Sequence, residues 1–95
     1  MTRGYRGRNA KVDANQNDIV NKLNELPDVQ AVVIGEPLDL LVGYNFQNFL
    51  IEIKNSDGKD TRGPSWEKQK EFIAAWPGSV DVCRTFDAVL DAIGY

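Results

Sequence analysis

The apolar positions of this chain follow two kinds of pattern, one with helical spacing and one made of short strand-like runs. In chain order they predict a helix over 13–26, strands over 29–34, 38–43 and 49–54, a helix over 64–76, a strand over 79–84 and a helix over 85–94. Asp13, with Gln16 in the capping-box position, starts the first helix, Pro64 opens the second, and Thr85 caps the third. Helices packed on a sheet bury such apolar faces compactly, so we predict an α/β fold with a mixed sheet.

Charged residues interrupt two of the predicted strands, where ionised side chains are costly to bury. Asp39 begins the run LDLLVG, and Glu52 and Lys54 lie inside FLIEIK. The segment 44–48, YNFQN, is typical of a tight connection, so these two strands are expected to form an antiparallel hairpin. Because successive strand residues point to opposite faces, Glu52 and Lys54 share one face, and the pairing brings Asp39 near Glu52.

This arrangement of carboxylates favours a site for a hard divalent cation. Two carboxylates about 4 Å apart repel by roughly 4 kcal/mol at an effective dielectric near 20, and a cation removes that repulsion. The chain has no His and one Cys, so Mg²⁺ or Mn²⁺ fits better than an imidazole-bound zinc ion. The alternative is an ordinary surface pair of Glu52 and Lys54, which contributes well under about 1 kcal/mol.

The second predicted helix carries an amide where a core residue is expected. Its apolar stripe, predicted to be buried, comprises Trp66, Phe72, Ile73 and Trp76. Gln69 falls in the middle of this stripe, and a buried glutamine needs partners such as a metal-bound water, a phosphate or a carboxylate. The first helix repeats the pattern, because Asn15 and Gln16 lie at the inward end of its apolar stripe.

Length and charge indicate one small domain preceded by a basic segment. The chain of 95 residues has room for one core, and no apolar run approaches the roughly 20 residues needed to cross a bilayer. The first twelve residues hold four basic and no acidic side chains, whereas the rest carries a net charge of −7. We therefore divide the chain into a basic arm, 1–12, and a domain, 13–95. The arm fits either a DNA backbone or a solvated tail.

Cysteine usage favours a reducing, cytoplasmic setting. Cys83 has no intrachain partner and is predicted to be a small buried apolar residue without a catalytic role. The basic N-terminal segment has no apolar stretch behind it, so we do not expect secretion.

Three motifs together carry a resemblance to a known family. D-L-L-V-G at 39–43, I-E-I-K at 51–54, and Gln69 on a helix ending in W-P-G resemble the PD-(D/E)XK nuclease superfamily. More closely, they resemble the small stand-alone VRR-NUC-type nucleases, which are often carried by phages and are related to Holliday-junction resolvases. The resemblance spans about residues 11–93 and implies a restriction-endonuclease-like αβββαβ core with a C-terminal helix.

The resemblance also implies roles for particular residues. Asp39, Glu52 and the main-chain carbonyl of Ile53 would hold Mg²⁺ or Mn²⁺, Lys54 would position the attacking water and stabilise charge on the phosphate, and Gln69 would border the site. The sequence departs from the family in two places. Pro37 is separated from Asp39 by Leu38 instead of preceding it directly, and the helical glutamate of many relatives is replaced by Asn15 or Gln16, which we take as supporting residues.

The function expected from these observations is metal-dependent hydrolysis of DNA by an endonuclease. We expect a structure-selective deoxyribonuclease that acts on branched or Holliday-junction DNA as a homodimer, with no organic cofactor and no membrane, in the bacterial cytoplasm if phage-encoded. The residues expected to contact the DNA backbone are Arg3, Arg6, Arg8, Lys11, Lys59 and Arg62. The alternative functions are a non-catalytic nucleic-acid-binding module of the same fold and a structural domain with a partly buried ion-pair cluster.

Overall fold

The computed structural model describes residues 10–55 and 61–95, with side chains from residue 15 onward. Its helices are α1 (Ala10–Asn24), α2 (Gly63–Ala75) and α3 (Phe86–Ile93), and its strands are β1 (Val29–Val33), β2 (Leu40–Tyr44), β3 (Gln47–Ile53) and β4 (Val80–Cys83). This chain order confirms the predicted helix, three strands, helix, strand and helix. None of the described helices is long and apolar enough to cross a lipid bilayer.

The four strands form one mixed sheet, as the sequence predicts, and their order in the sheet is β1-β2-β3-β4. The first three strands pair antiparallel, and β4 pairs parallel with β3. A parallel neighbour requires a crossover connection, and α2 lies in that connection between β3 and β4. The register places Leu40 opposite Ile51, so the start of β2 lies beside the end of β3.

The apolar core lies between one face of the sheet and the helices α1 and α3. Its members are Ile19, Leu23, Val29, Ala31, Leu40, Val42, Phe49, Ile51, Ile53, Cys83, Val89 and Ile93. Burial raises the pKa of the Cys83 thiol to about 11, and the nearby Asp81 adds to the shift. Cys83 is therefore a buried, protonated thiol at neutral pH, which confirms its prediction as a small core residue.

The first helix begins earlier than the sequence predicts. It starts at Ala10, so Asp13 lies inside the helix and is not its cap, and Lys11 belongs to the helix and not to a separate arm. The predicted cap was wrong because Ala10, Lys11 and Ala14 are good helix formers and neither Gly nor Pro stands between Ala10 and Asp13. Residues 1–9, which hold the three arginines of the predicted arm, lie outside the described part of the chain.

The second helix contributes no residue to the apolar core, which corrects the predicted buried stripe. Trp66, Phe72 and Ile73 are half-buried, and Trp76 follows the last helical residue and is 44% exposed. The rings of Phe72 and Trp76 stack on each other with centroids 5.2 Å apart. These side chains are incompletely buried because the helix packs over the polar end of β3, on the sheet face opposite the core.

The predicted hairpin between β2 and β3 is confirmed and closes with a two-residue turn. Tyr44 pairs with Gln47, and the two residues between them, Asn45 and Phe46, have φ angles of 56° and 63°. Positive φ at both central positions is what a type I′ turn requires, and Asn-Gly is its preferred sequence. Phe46 instead places a fully exposed aromatic side chain on a left-handed backbone.

We expect Phe46→Gly to stabilise the fold by about 0.5–1 kcal/mol. Left-handed backbone costs an L-residue roughly 1–2 kcal/mol, only part of which is offset by the larger chain entropy that glycine loses on folding. Urea unfolding measures this effect as a higher midpoint at unchanged slope. Gln47→Gly is the control, since this neighbouring strand residue should lose stability. An equal loss in both variants would contradict the strain at Phe46.

Candidate active site

A buried ion pair lies at the carboxyl end of β3, on the face opposite the core. The side chains of Glu52 and Lys54 share this face, as strand alternation predicts, and Lys54 Nζ lies 3.2 Å from Glu52 Oε2. Only 3% of Glu52 and 7% of Lys54 is exposed. The pair is therefore not the weak surface ion pair that the sequence left open as an alternative.

Gln69 on α2 closes a hydrogen-bonded triangle with this pair. Its Nε2 donates to Glu52 Oε2 at 2.7 Å, and its Oε1 accepts from Lys54 Nζ at 3.0 Å. The amide thus has the carboxylate partner that the sequence analysis expected, although Gln69 is half-buried and not fully buried. Its two bonds hold the acid and the ammonium in fixed positions.

Trp66 is a member of the site that the sequence analysis assigned only to a buried stripe. Lys54 Nζ lies 4.9 Å from the centroid of the Trp66 ring, within the range of a cation–π interaction. Trp66 and Gln69 are three residues apart, so they project from the same side of α2. That spacing was the available signal that Trp66 reaches Lys54, but tryptophan at such a position is usually read as core.

Asp39, the residue just before β2, is also part of the cluster. Its Oδ2 accepts a hydrogen bond from the Ile53 N–H at 2.8 Å, and its own N–H donates to Glu52 Oε1 at 3.2 Å. Its carbonyl accepts from the N–H groups of Ile34 and Gly35, which fixes the loop that leads into the strand. The two carboxyl groups are therefore held side by side by backbone hydrogen bonds on both residues.

The proximity of the carboxyl groups changes the acidity of Asp39. Burial, the larger cause, and the neighbouring Glu52 carboxylate together raise the pKa of Asp39 from the ordinary value of 3.8 to about 6. The Ile53 N–H and the Lys54 ammonium act in the opposite direction and lower it. The metal-free site therefore resists a second negative charge, which is the condition that a bound cation would relieve.

The donor set fits a hard divalent ion that keeps several waters. Asp39 and Glu52 supply carboxylate oxygens, and the backbone of Ile53 lies against Asp39. No group of three or more acidic, His or Cys side chains gathers among the described residues, and at this site they supply two carboxylates. Mg²⁺ typically binds through one or two carboxylates and retains water, which matches such a site. The Ile53 carbonyl as a ligand stays a prediction.

The other residues expected at the site take no part in the described hydrogen bonds of this cluster, or their side chains lie outside the described residues. Asn15 and Gln16 are half-buried on α1 and make no hydrogen bond to Asp39, Glu52, Lys54 or Gln69. Their supporting role stays a prediction. Of the expected DNA contacts, Arg62 is exposed at the start of α2. The side chains of Arg3, Arg6, Arg8, Lys11 and Lys59 lie outside the described residues.

The raised pKa of Asp39 predicts that the metal-free protein loses stability as pH rises from about 4 to 6. The folded state holds this proton up to about pH 6, whereas the unfolded chain releases it near the ordinary value of 3.8. Most of the loss has occurred by pH 6, and the total is something on the order of 2 kcal/mol. Urea unfolding in the presence of a chelator, from pH 4 to 8, measures it.

Asp39→Asn is the control for this pH dependence. Asparagine keeps an oxygen that accepts the Ile53 N–H but has no proton to lose. The stability of the wild type should therefore fall relative to the variant between pH 4 and 6 and stay parallel to it above pH 6. Parallel curves over the whole range would show that Asp39 titrates normally.

Comparison with known proteins adds no family assignment. No protein-family model matches the chain, and neither does any curated protein or solved structure. The case for a function therefore rests on the chemistry of Asp39, Glu52, Lys54 and Gln69 and on the motifs that contain them.

Proposed function

We propose that the protein is a divalent-metal-dependent endonuclease that hydrolyses phosphodiester bonds in DNA, of the VRR-NUC type within the PD-(D/E)XK superfamily. One observation carries the proposal. Two carboxylates, an ammonium and an amide from the start of β2, the end of β3 and the middle of α2 converge in one connected cluster. The resemblance assigns catalytic roles to these same four residues.

The charges of the cluster support binding of a cation and a phosphate together. The carboxylates of Asp39 and Glu52 and the ammonium of Lys54 sum to a net charge of −1 when all are ionised. A divalent ion would bring the sum to +1, which complements the single negative charge of a phosphodiester. When bound, Mg²⁺ or Mn²⁺ would supply Lewis acidity toward the attacking water and the phosphate oxygens.

Lys54 is the residue best placed to stabilise the developing negative charge on the phosphate. Its ammonium is fixed by Glu52 Oε2, Gln69 Oε1 and the ring of Trp66. A group that is already held in place does not have to reorganise during the reaction, which makes its charge more effective. Gln69 contributes by positioning both Lys54 and Glu52.

The expected substrate is DNA recognised through its backbone and shape. The sequence contains no base-reading motif, and the resemblance to resolvase-related nucleases favours branched or Holliday-junction DNA. A homodimer would present two active sites to the two strands of such a substrate, and two-fold dimers are the commonest oligomers. Basic residues outside the cluster would hold the backbone, and the protein would act in the cytoplasm.

Cleavage assays on labelled four-way junction, flap, duplex and single-stranded DNA test the proposal. We expect cutting that requires Mg²⁺ or Mn²⁺, stops with a chelator, and is fastest on a branched form. Cutting of none of the four forms, with DNA binding retained, would favour the non-catalytic binding module instead.

Thermal melting with Mn²⁺ separates a metal-binding site from a purely structural cluster. A ligand that binds only the folded state raises the Tm. At a ligand concentration of one hundred times its Kd, it adds about 2.7 kcal/mol to the free energy of unfolding. A structural ion-pair cluster would neither cut DNA nor gain Tm on addition of Mn²⁺.

A further inference from the structure

A cleft beside the candidate active site lies between α2 and the loop that leads to Asp39. Its volume is about 330 Å³, and its walls include Glu36 and Pro37 of the loop and Ser65, Lys68 and Gln69 of the helix. Residues at spacings of three and four share one side of a helix, so the three helical residues form a continuous wall. Gln69 belongs to both the cleft and the catalytic cluster.

Among the lysines whose side chains are described, Lys68 differs from the others in having no hydrogen-bond or ion-pair partner within the described residues. Lys22 pairs with Asp18 at 3.1 Å and Lys70 pairs with Glu67 at 3.1 Å, while Lys54 belongs to the buried cluster. Lys68 is exposed, and no described residue forms a hydrogen bond or ion pair with it, including Glu36 across the cleft. Its ammonium is therefore free to bind an anion at the edge of the site.

We propose that this cleft seats a backbone phosphate of the DNA strand next to the phosphate that is cut. Lys68 and Ser65 contact its oxygens, one with an ammonium and the other with a hydroxyl, as phosphate contacts in proteins commonly do. This inference rests on the proposed nuclease function and names the path of the strand through the site. Lys68 is a substrate-binding residue in this proposal, because the phosphate that it contacts is not the one that is cut.

Lys68→Ala and Lys70→Ala form a matched pair that tests the cleft. Both substitutions remove one positive charge from an exposed position on α2, but only Lys68 faces the cleft. We expect Lys68→Ala to raise KM about tenfold, the equivalent of one charge-assisted hydrogen bond, with kcat changed less than about twofold. Lys70→Ala should change neither constant, and Lys68→Arg should restore KM.

Binding of a fluorescein-labelled oligonucleotide in a chelator gives a second readout that does not need catalysis. Loss of one phosphate contact should raise Kd about tenfold and reduce the slope of log Kd against log salt by about 0.7 for a single strand or 0.9 for a duplex. Equal effects of Lys68→Ala and Lys70→Ala on Kd would overturn the proposal, because they would report only total charge. A fall in kcat without a change in KM or Kd would overturn it as well.

Failure of the nuclease function would be recognised separately. If the wild type cuts no DNA, the proposed activity fails, and the oligonucleotide measurement alone decides whether the cleft binds a phosphate. A selective loss of binding in Lys68→Ala would then support the cleft, and unchanged binding would overturn it. Unchanged melting temperatures of both variants, expected for exposed positions, show that neither effect comes from unfolding.

Discussion

Glu52→Gln is expected to lower the rate of metal-dependent DNA cleavage by about 10³-fold while the protein stays folded. Glutamine keeps the shape and an oxygen that accepts hydrogen bonds from Lys54 and Gln69, so the triangle keeps its packing and loses a charge. Its NH2 group then faces the Asp39 N–H, so the hydrogen bond from that backbone group is lost as well. The charge is what a cation and its bound water require, and losing about 4 kcal/mol of transition-state stabilisation corresponds to this factor. Initial rates on the preferred DNA form measure the effect.

Glu71→Gln is the matched control, because Glu71 is an exposed glutamate on α2 away from the cluster. Its rate should stay within about twofold of the wild type. The Mn²⁺-induced rise in Tm should disappear in Glu52→Gln and persist in Glu71→Gln. Full activity of Glu52→Gln would exclude Glu52 as a ligand and the proposed mechanism with it.

The strand pattern made much of this site predictable. Alternation alone places Glu52 and Lys54 on one face of β3, and the tight connection after β2 aligns Asp39 with them. Both inferences depend on local geometry, in which a strand has a side-chain period of two and a two-residue turn fixes the register. A buried amide needs hydrogen-bond partners, and this requirement likewise predicted that Gln69 contacts a group such as a carboxylate.

Other features depend on tertiary contacts that local patterns do not contain. The amphipathic pattern of α2 predicts a helix but not how deeply it packs, so the predicted burial of Trp76 was wrong. The cation–π contact of Trp66 and the position of Lys68 in the cleft both follow from where α2 lies over the end of β3. The hydrogen bond from the Ile53 N–H to Asp39 depends on a backbone group, which the sequence pattern does not mark.

The burial of this cluster is also informative about its purpose. Charged pairs taken out of water lose hydration that their mutual attraction often fails to replace, so well-packed apolar residues are commonly as stable or more so. Glu52 and Lys54 are as buried as core residues, and Asp39 adds a second carboxylate whose pKa is raised by burial. Such a cluster is expected where chemistry, and not stability, determines the residues.

Lys54→Met is therefore expected to destabilise the metal-free protein by about 3 kcal/mol at pH 7.5. In the double variant E52Q/K54M, more than half of this lost stability should return. Methionine fills a similar volume but leaves the Glu52 and Asp39 carboxylates without their ammonium, and an uncompensated buried charge is the costly state. Removing the Glu52 charge as well takes away the reason for the loss. Urea unfolding in a chelator of the wild type, Glu52→Gln, Lys54→Met and the double variant gives the double-mutant cycle that measures this coupling.

The same four proteins distinguish a functional cluster from a structural one. If the cluster serves catalysis, E52Q/K54M should be nearly as stable as the wild type and still fail to cut DNA, because the charges matter to the reaction and not to the fold. If the cluster holds the structure together, the double variant should stay about as destabilised as Lys54→Met, because loss of the ion pair itself would then be the main cost. That second result would leave the buried pair of Glu52 and Lys54 as a structural device and remove the main physical support for a nuclease.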